Sequence, residues 1–244
     1  MKYILNSIFL LRQAIYFVYF CIIVLISATI STSLYYLKAP LFMRVRVMYL
    51  WSIFLRIGMF FILWIRIEIE GKENITKDSC IYVSKHQSSL DAIFLPSILP
   101  RSVFVLKKEL LSVPVFGPGI KGTGCIAIDR RRGMRALKDV VTQGKNRLAK
   151  KINVIIFPEG TRIKPKNHPE FHKSGLMLAK SSKHPFILVA HNAGSLASVG
   201  DKIVKPGKVT IVISKPINPQ DYNLNELAVH SHQWIKKQML RIEK

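Results

Sequence analysis

The sequence predicts an α/β protein with a mixed central sheet of about seven strands flanked by helices, preceded by an N-terminal membrane-embedded helical segment. Three observations predict this. Residues 1–65 hold two long apolar stretches, and from Ile67 onward short β-branched runs alternate with longer polar and apolar stretches, the pattern of strands alternating with helices. The chain has 244 residues, 49% of them hydrophobic, which suits one core of ordinary size with a small attachment rather than two large domains. The division expected is therefore 1–65 as membrane anchor and 66–244 as the α/β domain.

Between Arg12 and Lys38 the chain carries no charge, and Ala14 to Leu37 is mostly Ile, Phe, Tyr, Val and Leu. A helix of about 20 such residues spans the hydrocarbon core of a bilayer. A signal peptide also opens on basic residues, here Lys2 and Arg12, but its apolar part is shorter, about 7 to 15 residues, and ends at a small-residue cleavage site. Tyr35, Tyr36 and Lys38 suit interfacial anchoring, so a retained transmembrane helix is predicted. The second stretch, Met48 to Ile65, is interrupted by Arg56, and a charge at the bilayer centre costs roughly 2.5 kcal/mol or more. Two placements fit it equally: a helix dipping into one leaflet or lying at the interface, and a buried helix packed on the α/β domain. Basic residues flank the first segment on both sides, while the long basic remainder favours the cytoplasmic side of the membrane.

In the α/β region the strands expected are Arg66–Glu70, Cys80–Ser84, Ser102–Leu106, Cys125–Ile128, Val154–Phe157, Phe186–Ala190 and Val209–Ile213. The helices expected are Leu90–Leu99, Gly133–Ala149, His172–Ser182 and Leu224–Ile242, the last opening after Asn223, a favourable N-cap. Pro165 and Pro169 mark 163–169 as a loop. GPGIKG at 117–122 fits G-x-G-x-x-G, but the dinucleotide fingerprint needs a strand before it and a helix start within it. Here Pro118 interrupts and the run CIAI follows, so this segment reads as a loop.

The charge balance narrows the partners. With 37 Lys+Arg against 14 Asp+Glu the net charge is +23, which calls for nucleic acid or anionic lipid. The positive mean hydropathy and the apolar N-terminus favour membrane phospholipid, and no nucleic-acid partner is expected. Three cysteines, Cys21, Cys80 and Cys125, each lie in an apolar run without metal-ligand spacing, so they read as reduced core or membrane residues. Carboxylates and histidines do not cluster at ligand spacing, and no metal or cofactor is implied. G-x-S-x-G and H-E-x-x-H are missing from the sequence, which removes the main support for a serine hydrolase or a zinc peptidase.

Chemistry concentrates at strand ends. KHQSSLD at 85–91 follows the strand CIYVS. On a continuous helix, residues five apart lie roughly 140° round the axis, so His86 belongs at the strand end with Asp91 in the turn or early helix. There the carboxylate can fix the imidazole tautomer and stabilise the imidazolium as the ring takes a proton. Alone, this spacing is common by chance and is better read as a strand-end histidine beside an N-cap-like Asp. FPEGTR at 157–162 supplies Glu159, Gly160, Thr161 and Arg162. Gly160 permits an unusual backbone angle, and adjacent N–H groups, the Thr161 hydroxyl and the Arg162 fork can form a phosphate cradle. Arg130 closes another strand, Arg131 and Arg132 suit a solvated or membrane-facing patch, and His191 suits a structural or pocket-lining role. Strand ends on one edge of an α/β sheet open on one crevice, so His86, Arg130 and Glu159 can share a site.

Together these residues resemble the 1-acylglycerol-3-phosphate O-acyltransferase family of glycerolipid acyltransferases, from about Ile67 to Ser214. HQSSLD matches the family's H-x4-D block, GCIAIDR at 124–130 its G-x-x-x-x-x-R block, FPEGTR the third and VAHNAG the fourth. Lys85 stands where the family often has Asn, Asp91 where many bacterial members have Glu, and Leu188 where a proline is usual. The resemblance implies that 66–244 is an acyltransferase catalytic domain, that His86 and Asp91 are catalytic, and that Arg130, Glu159, Gly160, Thr161 and Arg162 bind a glycerol phosphate. The implied reaction is transfer of an acyl chain from acyl-CoA or acyl carrier protein to lysophosphatidic acid, giving phosphatidic acid, at the cytoplasmic membrane with the catalytic domain on the cytoplasmic side. Another lyso-lipid acceptor, such as a lyso-ornithine lipid or a lysophospholipid, and a non-catalytic basic membrane adaptor are the alternatives.

Overall fold

Every β-branched run expected to be a strand forms one, with ends shifted by a residue or two. The computed structural model describes residues 2–243. Its strands are β1 (Ile65–Glu70), β2 (Ile81–Ser84), β3 (Ser102–Lys107), β4 (Ile126–Ile128), β5 (Asn153–Ile156), β6 (Phe186–His191) and β7 (Gly207–Ile213). They make one seven-stranded sheet in the order β1-β7-β6-β2-β5-β3-β4. Neighbours pair parallel except β6 and β7, which pair antiparallel, so the sheet is mixed as expected. β2, β5 and β6 are buried along their whole length, which is why their sequences read as continuous apolar runs rather than alternating ones. Because β2, β5, β3, β4 and β6 run in one direction, their C-terminal ends share one edge of the sheet.

The helices expected in the α/β region form as α3 (Ser89–Ile98), α5 (Met134–Ala149), α6 (Ser174–Ser182) and α7 (Leu224–Ile242). Asn223 caps α7 through its side chain, which accepts from the N–H groups of Asn225 and Glu226, while Glu226 reaches back to the Asn223 N–H, a reciprocal cap. Segment 163–169 is irregular, as its prolines predict.

The N-terminal helices are longer than predicted, and they lie along the domain. α1 runs Lys2–Tyr36 and α2 runs Leu41–Phe61. Among the described residues, Asn6–Tyr36 is the helix long and apolar enough to cross a membrane. Gln13 on α1 bonds the carbonyl of Lys202 and the N–H of Val204, in the loop leading into β7. Further along, the Tyr19 hydroxyl donates to the Phe54 carbonyl of α2 at 2.7 Å, and the Ser31 hydroxyl donates to the Gly119 carbonyl at 2.9 Å. α1 therefore stretches from one side of the sheet to the segment that precedes β4 on the other, leaving Leu11, Phe17, Val18, Ile22 and Leu25 exposed.

α2 takes the second of the two placements that the sequence left open, packed on the α/β domain, and keeps an apolar outer face. Val45, Met48, Ser52, Leu55 and Met59 are buried, and the Ser52 hydroxyl donates to the Ile93 carbonyl while accepting from the Ser97 N–H at 2.8 Å. Phe42, Phe54, Ile57 and Phe61 face outward.

One element corrects the sequence reading. GPGIKG is not a loop but most of a helix, α4 (Phe116–Thr123), with Gly117, Gly119 and Gly122 buried. Pro118 lies in its first turn, where no intrahelical donor is needed. A methyl group built on Gly119 would lie 2.8 Å from the Ala28 methyl of α1. The glycines let two helices touch backbone to backbone, as small residues do between membrane helices, and neighbours rather than propensity stabilise the helix.

Candidate functional site

The edge where β2 and β5 end brings the two strongest sequence signals together. β2 stops at Ser84, and Ser88 opens α3 as its N-cap. Asp91, three residues on, turns its carboxylate back over the first turn and accepts from the N–H groups of Gln87 at 2.9 Å and Ser88 at 3.0 Å. The same carboxylate lies 3.0 Å from His86 Nδ1. The H-x4-D spacing thus works because the Asp caps the helix: the capping reach that satisfies the orphan N–H groups also brings an oxygen to the imidazole. The capping reading is realised, and the cap itself brings the carboxylate to the imidazole.

His86 is held by three contacts, two on its ring and one on its backbone. Asp91 binds Nδ1, and the ring stacks on Phe157 with centroids 3.9 Å apart and planes 14° from parallel. The Ile163 N–H donates to the His86 carbonyl at 2.8 Å. In the neutral ring, an Nδ1–H bonded to the carboxylate leaves Nε2 as the basic nitrogen. Burial alone would raise the Asp91 carboxyl, but the His86 ring, His191 and the Ser88 N–H together hold it below the usual carboxylate range, so it stays an anion beside the imidazole.

His191 is the inner support. It is fully buried, its Nε2 lies 2.8 Å from the Lys85 carbonyl and 3.6 Å from an Asp91 oxygen, and burial pushes its pKa down. Without contact with the cavity, it props the strand end that carries His86, in keeping with the structural role its position suggested.

β5 ends beside β2 and leads into FPEGTR. Gly160 adopts φ 69°, a left-handed conformation open to glycine at little cost, and Arg130 donates to its carbonyl. Thr161 and Arg162 follow on the exposed side. Glu159 departs from its expected place. Its side chain faces the interior, where Lys85 Nζ lies 2.8 Å away and both side chains are almost wholly excluded from solvent. Burial raises the Glu159 pKa, with Lys85 offsetting only part of that. The buried lysine keeps that carboxylate away from the surface that Gly160, Thr161 and Arg162 present to the cavity.

His86, Arg130, Gly160, Thr161 and Arg162 all border one cavity of about 590 Å³. The rest of its wall is largely apolar: Phe20, Val24 and Ala28 of α1, Met48 and Trp51 of α2, Ile93 of α3, Phe104 of β3 and Ile120 of α4. Sequence reasoning placed the polar end and missed the apolar walls, because their side chains come from five segments whose meeting is a tertiary event. The glycines of GPGIKG were the available signal. Lys107 also reaches the wall, whereas Arg131 is exposed and pairs with its neighbour Asp129. The arrangement offers an oriented base, two guanidiniums for an anion and a greasy channel for a chain.

Comparison with known proteins agrees with this chemistry. The acyltransferase family profile matches residues 66–192, a stretch that holds HQSSLD, GCIAIDR and FPEGTR whole and the first four residues of VAHNAG. A 1-acyl-sn-glycerol-3-phosphate acyltransferase of Pseudomonas aeruginosa is 36% identical over 181 residues, 73% of this chain and 70% of that protein. One of Limnanthes alba is 30% identical over 226 residues, 91% of this chain and 80% of that protein. The crystal structure of the 1-acyl-sn-glycerophosphate acyltransferase of Thermotoga maritima superposes with a TM-score of 0.81 over 99% of this chain and 97% of the other, at 23% identity, a likeness of fold.

Proposed function

Because this chain belongs to the acyltransferase family, among its 1-acylglycerol-3-phosphate acyltransferase-like members, we propose that it acylates the sn-2 hydroxyl of lysophosphatidic acid to make phosphatidic acid. The observation that carries the reading is the single cavity bordered by His86, by Arg130 and Arg162, and by apolar side chains of α1, α2 and α4. An acceptor with one phosphate, one free hydroxyl and one chain matches those three kinds of wall.

In this reading Arg130 and Arg162 hold the phosphate, and binding energy there positions the hydroxyl at His86 Nε2. The ring removes the hydroxyl proton as the oxygen attacks the thioester carbonyl of acyl-CoA or acyl carrier protein. The tetrahedral intermediate then collapses, the carbon–sulfur bond breaks, and the departing thiolate takes the proton back from the imidazolium. No acyl-enzyme forms. The N–H groups of Gln87 and Ser88 serve Asp91, and that of Gly160 bonds the Phe157 carbonyl. The oxyanion therefore draws on other donors at the cavity, with the Thr161 hydroxyl and Arg130 the nearest in kind. Glu159 acts through Lys85 rather than on the acceptor.

The way the helices are tied supports a membrane arrangement. α1 is bonded to the domain at Gln13 and Ser31 and to α2 at Tyr19, which supports α1 and α2 sinking their exposed apolar side chains into one leaflet, with residues 66–244 as the catalytic domain on the cytoplasmic side. That places the cavity wall against lipid and lets acceptor enter from the membrane, while the basic surface meets anionic phospholipid and the acidic donor.

The test is an assay of the purified protein with lysophosphatidate and either donor. His86→Ala should lower kcat by about 10² to 10⁴, and Arg162→Ala should raise KM for lysophosphatidate far more than KM for the donor. Near-normal turnover by His86→Ala would overturn the mechanism. An Arg162→Ala effect that is equal for phosphate-free lyso-lipids would move the acceptor to another class.

A further inference from the structure

Segment 163–169 begins where Arg162 ends and has neither helix nor strand, yet it is tied down along its length. The Ile163 N–H donates to the His86 carbonyl at 2.8 Å, the Asn167 carbonyl accepts from Lys85 Nζ at 3.0 Å, and the His168 carbonyl lies 3.0 Å from His232 Nε2 on α7. A fourth tie comes from the end of α7. One Glu243 oxygen accepts from the Lys166 N–H at 2.9 Å, and the other accepts from the side-chain amide of Gln87, next to His86. Lys166 adopts φ 67°, unfavourable for a residue with a Cβ, so its conformation depends on such neighbours. Gly194 clears the space: a methyl group on it would lie 2.8 Å from Gln87 Cβ and 3.1 Å from Pro165 Cγ.

We propose that Glu243 is a positioning residue for acceptor binding, its carboxylate bridging Gln87, beside the base, to the strap that starts at Arg162. Fixing an irregular segment costs about 1–2 kcal/mol of backbone entropy per residue. Interactions already made in the empty enzyme remove that cost from the acceptor's binding. The two oxygens of a carboxylate can each accept one of the two donors. A glutamine offers one oxygen and turns an NH2 toward a donor, and an aspartate is one methylene too short to span both. The proposal rests on Arg162 binding the acceptor's phosphate.

The experiment uses the full chain in mixed micelles with lysophosphatidate, comparing Glu243→Ala, Glu243→Gln, Arg162→Ala and the double variant Glu243→Ala/Arg162→Ala, with hydrogen exchange of the amides of 163–168 read alongside. Glu243→Ala and Glu243→Gln should each raise KM for lysophosphatidate about tenfold, the scale of one charge-assisted hydrogen bond, with donor KM and Tm little changed and strap amides exchanging faster. In the double variant the KM effects should be less than additive, because Glu243 acts through Arg162. A residue that merely stabilised the fold would lower Tm and give additive effects, which overturns the proposal, as does an unchanged KM or unchanged strap exchange. If Arg162→Ala leaves KM for lysophosphatidate unchanged, the phosphate role of Arg162 fails and the proposal falls with it. If Arg162→Ala raises KM while Glu243→Ala does not, that role stands and the proposal alone is overturned.

Discussion

Lys85 and Glu159 form an ion pair 2.8 Å long in a site closed to solvent, joining the strand end that carries His86 to the turn that carries Arg162. A buried pair contributes little net stability when both charges must be desolvated, but removing one partner strands the other. Lys85→Met should therefore destabilise the protein by about 3–5 kcal/mol. Lys85→Met with Glu159→Gln should recover most of that, by thermal or urea unfolding. Burial already sets the folded Glu159 pKa above its unfolded value, so its ionised form costs stability at neutral pH. The Lys85→Met deficit should then shrink as pH falls toward the range where Glu159 takes up a proton. A deficit independent of pH would mean that the loss comes from packing.

Gly119 faces Ala28 where α4 meets α1, and both border the cavity. Gly119→Val should force α1 outward and destabilise the protein by about 1–3 kcal/mol, as overpacking does. It should also change the preferred acyl length in a competition assay with mixed donors. Unchanged chain preference would place the acyl group elsewhere.

His191 is buried and its pKa is pushed below the unfolded value of 6.5. The unfolded chain thus binds a proton that the native state excludes. The stability from keeping this ring neutral is complete above about pH 6.5 and is lost as pH falls toward the depressed native value. In His191→Asn, which keeps a donor for the Lys85 carbonyl but does not titrate, Tm should fall less steeply with acidification than in the wild type. Parallel Tm curves would assign the acid sensitivity to another group.

The strands were legible because β2, β5 and β6 are buried on both faces and so must be apolar throughout, and because each ends where polar residues begin. His86 and Asp91 were legible because a helix cap fixes their separation within seven residues of chain. Local geometry, with ranges of a few residues, is written locally.

Glu159, α4 and the lie of α1 were not legible, for one physical reason: each depends on a neighbour remote in sequence. A carboxylate in FPEGTR faces a ligand or the core according to whether a lysine stands on the adjacent strand, and β2 and β5 become adjacent only in the sheet. Three glycines and a proline oppose a helix until Ala28 and Ser31 of α1 need a close surface to rest on. A charge-free run of apolar residues does not say which of its side chains rest on the rest of the protein, since hydrophobicity has no direction. By itself the sequence determined an α/β acyltransferase in which His86 and Asp91 sit together at a strand end. The tertiary structure alone decided which side chains wall the cavity, where Glu159 points and how Glu243 reaches Gln87 and Lys166, because those are contacts between segments that only packing brings together.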